Sequence, residues 1–216
     1  MAERSGACAF DREFREKLTN LFVWRRDVRS FRRDPLPADS MERLLHVACL
    51  APSVGLSQPW RFVLVESPEK RERVRENFLS ANAEALACYS GERAALYARL
   101  KLEGLREAPA HLAVFVEPDP PQGTMLGRRT MPETVAYSAV AAIHTLWLAA
   151  CAEGIGMGWV SILDPPSLKR DLDVPEGWQF VGYFCLGFPA EAADIPELER
   201  LHWEKRSAPS SFIFRR

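Results

Sequence analysis

WRRDVRSFRRD, residues 24–34, sets five arginines and two aspartates within eleven positions of a chain whose formal net charge is −1. At a helix end, the R-R-x-x-R spacing of Arg25, Arg26 and Arg29 converges three guanidiniums on one point. Arginine suits phosphate because its planar fork donates two parallel hydrogen bonds. A solvated basic turn uses the same residues, and the spacing alone leaves both readings open. The chain carries 23 arginines against 5 lysines, so clustering rather than abundance carries the signal. Neither GxGxxG nor GxxxxGK[ST] occurs, which removes support for a Rossmann or P-loop phosphate cradle.

Working outward, Phe10, Phe14, Leu18, Leu21 and Phe22 fall at helical spacing and predict an amphipathic helix ending near the arginines. PLPADSMERLLHVACLAPS (35–53) predicts a second helix, with Asp39 or Ser40 as N-cap and a stop near Pro52. WRFVLVES (60–67) and HLAVFVE (111–117) read as strands, separated by a charged helical stretch interrupted around Ser90–Gly91. After a loop with four prolines (118–132) come the uncharged run Thr134–Ala152, a strand in GIGMGWVSIL (154–163), a short helix in PPSLKRDL (165–172) and a last strand in WQFVGYFCLGFP (178–189). Strands alternating with helices predict a layered architecture in one domain over residues 1–216. The tail, 188–216, holds Trp203, Phe212, Ile213 and Phe214, rings that an isolated tail cannot bury. It packs on its own domain or, as the favoured expectation, wraps round a second subunit.

The 216 residues, 47% hydrophobic, suffice for one substantial core. The balanced charge argues against nucleic acid as a partner. Five cysteines without a CxxC read as reduced thiols of a cytoplasmic protein, and four scattered histidines make no metal site. The N-terminus shows no signal-peptide core. Thr134–Ala152 approaches the length of a membrane span, but it contains Thr, Ser, Tyr and His and is flanked by Glu133 and Glu153, so a buried helix is expected and no membrane.

Two further stretches carry possible chemistry. In APSVGLSQPW (51–60), Ser53 and Gly55 allow close approach to a flat ligand, and the Gln58 amide matches a ring edge with donors and acceptors. An ordinary connection is the alternative. In GIGMGWVSI (154–162), glycines beside a strand mark a place where a ligand or another backbone comes close. Ser161 is there either a core serine or a site residue.

RRDVRSF, APSVGLSQPW and GIGMGWVSI, in that order and at those intervals, resemble the flavin-dependent nitroreductase family, with the likeness running from about residue 20 to 206. The resemblance implies an α+β fold, with a mixed central sheet flanked by helices. It also implies a homodimer that exchanges its C-terminal arms and holds FMN in the subunit interface. Arg25, Arg26, Arg29 and, from the arm, Arg206 would hold the FMN phosphate, while Ser53, Gly55, Gln58 and Leu102 would line the ring pocket. Asp27 stands where ordinary nitroreductases usually carry a small residue. With Ser161 in GWVSI and the lid-like phrase SGERAALYARLKLEG (90–104, within a lid of about 80–105), it is similar to the branch that makes 5,6-dimethylbenzimidazole, the lower ligand of cobalamin. That likeness implies reduced FMN as substrate, broken down with molecular oxygen to the benzimidazole and a tetrose phosphate, with no metal. A separate flavin reductase would supply the reduced FMN. Asp27 would be a base or proton shuttle (a structural salt bridge is the alternative), and Ser161 would hydrogen-bond near the flavin N5 edge. The lid would exclude water and nicotinamide. The rival expectations are an NAD(P)H-dependent nitroreductase or flavin reductase, and a flavin-binding protein without chemistry.

Overall fold

In a computed structural model of the chain, residues 9–216 are described. The expected first helix is α1 (Arg12–Trp24), capped by the Asp11 carboxylate, which accepts from the Phe14 N–H. It stops at Trp24, and Arg25 is already extended, with φ −68° and ψ 108°. Asp27 then bridges Met157 in parallel and Phe31 bridges Pro189 in antiparallel fashion. The arginine stretch is therefore an extended strip rather than a helix end. Four residues of extended chain span about 13 Å, against about 6 Å in a helix, so the R-R-x-x-R spacing does not converge three guanidiniums here.

The remaining elements follow the sequence pattern. They are α2 (Ser40–Ala48), β1 (Trp60–Leu64), α3 (Pro68–Ala87), α4 (Gly91–Arg99), β2 (Ala110–Val116), α5 (Thr134–Ala152), β3 (Gly156–Val160), α6 (Pro165–Asp171), β4 (Gln179–Gly187) and α7 (Glu197–Arg200). Ser67 and Asp164 cap α3 and α6, each followed by a proline in the first turn. Asp39 precedes α2 in the left-handed region (φ 61°) and makes no side-chain cap bond.

The four strands lie in the order β1-β2-β4-β3 and every named pairing is antiparallel. The expected mixed character survives only in the isolated parallel bridge of Asp27 to Met157. β2 is buried almost throughout, as its unbroken apolar run requires. Its alternation sorts the core into two sides. Ala113 and Phe115 join Tyr183 and Cys185 of β4 against Val74 and Phe78 of α3 and Leu168 of α6. Leu112 and Val114 join Phe184 and Leu186 against Leu44 of α2 and Ile143 and Leu146 of α5. The result is an α+β sandwich of helices, sheet and helices. α5 is long and apolar enough to cross a membrane, yet eight of its residues are buried, among them Ile143, Leu146 and Ala150, which pack in the core.

Candidate active site

Asp27 is held at both carboxylate oxygens. Oδ1 accepts the Trp159 backbone N–H at 2.8 Å, and Oδ2 accepts from Arg29 Nε at 2.8 Å. The strip is fastened to β3 by Val28 N–H donating to the Met157 carbonyl at 3.1 Å. The question left open by the glycines of β3 is answered here: they admit another backbone. A Cβ on Gly158 would collide with the Val28 carbonyl oxygen, and one on Gly156 would meet the Val28 side chain. Arg29, only 14% exposed at its side chain, also donates through Nη1 to the Lys101 carbonyl at 3.2 Å. This draws the lid onto the strip, and Leu102 closes a tight cleft with Val28, Arg29, Trp159 and Val160. Ser161 follows β3 directly and is exposed. At about 3.3 Å per residue it lies roughly 6–7 Å along the chain from Trp159. Asp27, Ser161 and Leu102 are thus gathered at one edge of the sheet.

Of the four arginines expected at the phosphate, Arg29 donates to Asp27 and to the Lys101 carbonyl, while Arg206, the candidate from the arm, lies with Arg25 close enough to act on Arg26. Burial, then the cations Arg206 and Arg25, hold the Arg26 guanidinium below its ordinary value. Arg26 Nε donates to the Asp194 carbonyl at 2.8 Å, which ties the C-terminal arm to the strip. Arg25 lies 5.0 Å over the Trp147 ring, and Trp147 Nε1 donates to the Arg26 carbonyl at 3.2 Å. Trp147 and the Trp159 N–H were not legible as site groups, because more than a hundred residues separate them from their partners. Between strip, arm and α5 lies a cavity of about 430 Å³, lined by Trp24, Val28, Trp147, Cys151 and Ile195 among others. Burial raises the Cys151 thiol, against the pull of Arg25 and Arg26. Cys8 lies outside the described residues, and among these no group of three or more His, Cys, Asp or Glu is placed to hold a metal ion.

Ser53, Gly55 and Gln58 are not with the others. Their loop leads into β1, at the opposite sheet edge from the Asp27 strip. Four strand intervals of about 4.8 Å put the two roughly 19 Å apart. The loop is shaped by its own contacts. Ser53 Oγ accepts from Gln58 N–H at 3.1 Å, and Ser138 Oγ of α5 accepts from Val54 N–H at 3.0 Å. The face of Gly55 that lacks a side chain is filled by Leu126 and Gly123, not left open to a ligand. Leu56 (φ 54°) and Gln58 (φ 44°) are both held in the left-handed region, a strain that nonglycine residues keep only where the surroundings impose it. The loop is exposed at Leu56, beside a stripe of α5 formed by Tyr137, Val140 and His144 that is likewise uncovered.

Comparison with known proteins places this geometry. Residues 22–188 match the nitroreductase family. A 5,6-dimethylbenzimidazole synthase of Rhodospirillum rubrum is 57% identical over 91% of this chain and 93% of its own length. Another, from Rhodobacter capsulatus, is 47% identical over 91% and 95%. Among solved structures, an iodotyrosine deiodinase bound to FMN and 3-iodo-L-tyrosine superposes with a TM-score of 0.69 at 24% identity, covering 82% of this chain and 91% of that one, a likeness of fold. The chain belongs to the nitroreductase family and, within it, to the 5,6-dimethylbenzimidazole synthases.

Proposed function

We propose that this protein is a 5,6-dimethylbenzimidazole synthase that takes reduced FMN as its substrate and fragments it with molecular oxygen, releasing a tetrose phosphate. The single observation that carries the reading is the placement of Asp27. A carboxylate gripped by Arg29 and the Trp159 N–H, beside the lid that Arg29 holds at Lys101, has no use in simple hydride relay. The donor set fits FMN. Arg25, Arg26 and Arg206 form a cationic cluster in which mutual repulsion is felt at Arg26, and Arg25 has no carboxylate partner among the described residues. A phosphate dianion relieves that repulsion, and the neighbouring cavity is largely apolar.

When bound, reduced flavin supplies both the electrons for oxygen and the carbon atoms of the product. The chain supplies position and proton transfer. Arg25, Arg26 and Arg206 hold the phosphate end. Asp27, oriented through both oxygens, accepts a proton from the sugar chain, the work of a general base. Ser161 donates a hydrogen bond at the reacting ring edge, and the lid at Leu102 excludes water.

Ser53, Gly55 and Gln58 enter only if a second copy brings its loop to the first copy's Asp27 strip. A separation of roughly 19 Å within one chain, from the strand spacings, and the uncovered stripe of α5 support a homodimer with two composite sites. The arm divides its role: Trp203 packs on its own lid, while Phe212, Ile213 and Phe214 stand exposed and available to the partner. The test is to supply reduced FMN in air, from a flavin reductase or a chemical reductant, and to seek 5,6-dimethylbenzimidazole by mass. Product formation with loss of flavin is expected. Steady NADPH oxidation on a nitroaromatic, with flavin intact and no benzimidazole, would overturn the proposal in favour of a conventional nitroreductase.

A further inference from the structure

The lid and the arm meet in an aromatic cluster outside the groups assigned so far. Tyr89, ahead of α4, stacks on Tyr97 with ring centroids 4.9 Å apart, and the edges of both meet Trp203 of the arm at 5.6 and 5.9 Å. The Arg93 guanidinium lies 3.7 Å over the Trp203 ring, while its Nη1 donates to the Trp203 carbonyl at 3.1 Å. Cation and ring thus hold each other by face and by backbone. Tyr97 hydroxyl donates to Asn82 Oδ1 at 2.8 Å, which anchors the cluster to α3.

Trp203 stands three residues before Arg206, and Asp194 of the same arm accepts from Arg26. The arm is therefore tied to the strip at Asp194 and to the lid at Trp203, with Arg206 following three residues later. On the other side of α4, the chain runs straight into Lys101, whose carbonyl accepts from Arg29, the partner of Asp27. Contacts and a short run of chain link Trp203 to the Asp27 carboxylate, through Arg93, α4, Lys101 and Arg29, and Arg206 is joined to Trp203 by the chain of the arm itself.

We infer that Trp203 and Arg93 are positioning residues that make lid order depend on a phosphate held at Arg25, Arg26 and Arg206. Seating the arm gathers the cations Arg206, Arg25 and Arg26, with only Glu199, 3.7 Å from Arg206, and Asp194 beside Arg26 to offset them, and Trp203 draws α4 with the arm. A bound dianion favours that gathering, and the lid settles over Asp27. Selection of FMN over riboflavin then acts on closure as well as on affinity. The inference rests on the phosphate assignment above and adds the connection to the lid.

Hydrogen exchange of residues 88–107, measured by mass spectrometry on the full chain, reads that connection without requiring turnover. FMN is expected to slow exchange of the lid by about tenfold or more, and riboflavin at saturation by much less. In Trp203→Ala, FMN should still bind, by fluorescence, while lid protection falls to the riboflavin level and product per flavin consumed drops. Trp203→Phe should keep most of the protection, and Arg93→Met should lose part of it, which guards against misreading an unfolded Trp203→Ala. Equal protection by riboflavin and FMN, or wild-type lid protection in both Trp203→Ala and Arg93→Met, would overturn the connection while leaving the FMN site standing. Failure of the wild-type protein to bind FMN at all would remove the site reading and the connection together.

Discussion

Asp27 shows how much a residue's partners decide its use. An aspartate among arginines reads equally as an ion pair or as a base. The structure shows one oxygen paired with Arg29 and the other with a backbone N–H, so the group is both paired and aimed. Asp27→Asn keeps an acceptor for the Trp159 N–H but loses the basic oxygen. It is expected to bind FMN within a few-fold of wild type and to lower benzimidazole formation by on the order of 10²–10⁴, the usual worth of a general base. An unaltered product yield, followed by mass, would remove Asp27 from the chemistry. The arginines divide in the same way. Arg206→Ala should weaken FMN about tenfold and leave riboflavin untouched, because a half-exposed guanidinium makes a screened contact with phosphate. Arg29→Ala should instead spare much of the phosphate contribution and disable Asp27. Titrations of both flavins against both variants separate the two roles. The residue types at this site were legible in the sequence. Which arginine pairs with Asp27 was not, because that depends on the extended path of residues 25–31.

At the scale of elements, the close seating of the Asp27 strip on β3 is the critical contact. Gly158→Ala would drive a methyl into the Val28 carbonyl, at a cost of about 3 kcal/mol or more. Gly154→Ala, with no atom near its Cβ, should cost only about 1 kcal/mol for its positive φ of 73°. Urea denaturation of the pair tests this difference, and product formation should fail in the first alone. The sheet interior also sets a pH response. His111 of β2, 2.8 Å from the Tyr183 hydroxyl of β4, is driven by burial from 6.5 to about 3. Below pH 6.5 the unfolded chain takes up a proton here that the folded chain refuses. Stability should therefore fall as pH drops from 6.5 toward 3, by at most about 1.4 kcal/mol per unit, and owe nothing to this group above that window. His111→Gln is expected to flatten that part of the urea-midpoint profile, and an unchanged slope would acquit His111. The elements themselves were readable because apolar period, caps and prolines are local signals. The end of α1 at Trp24 and the extended strip after it were not, since the strip's hydrogen bonds to β3, α5 and the arm reach residues 121 to 168 positions away.

For the whole molecule, the roughly 19 Å between the Ser53–Gln58 loop and the Asp27 strip underlies the proposal that one chain is half a site. Two-fold symmetry would supply the missing half twice. If so, mixing Asp27→Asn with Gln58→Ala subunits and refolding them together restores one intact site in each mixed dimer. Random pairing then yields about a quarter of wild-type product from two defective parents. No gain over the separate variants would place each site within one chain.

The sequence by itself determined the elements and their layered arrangement, which follow from local periodicity, caps and residue type; its likeness to the family, not periodicity, implied the α+β class, the lid and the roles of Asp27 and Ser161. Only the tertiary structure decided that Arg29 pairs with Asp27, that the β3 glycines admit a backbone, and that the loop of Ser53 sits at the far edge of the sheet. Those are matters of distance between segments remote along the chain, set by strand order and by which backbone groups must find partners.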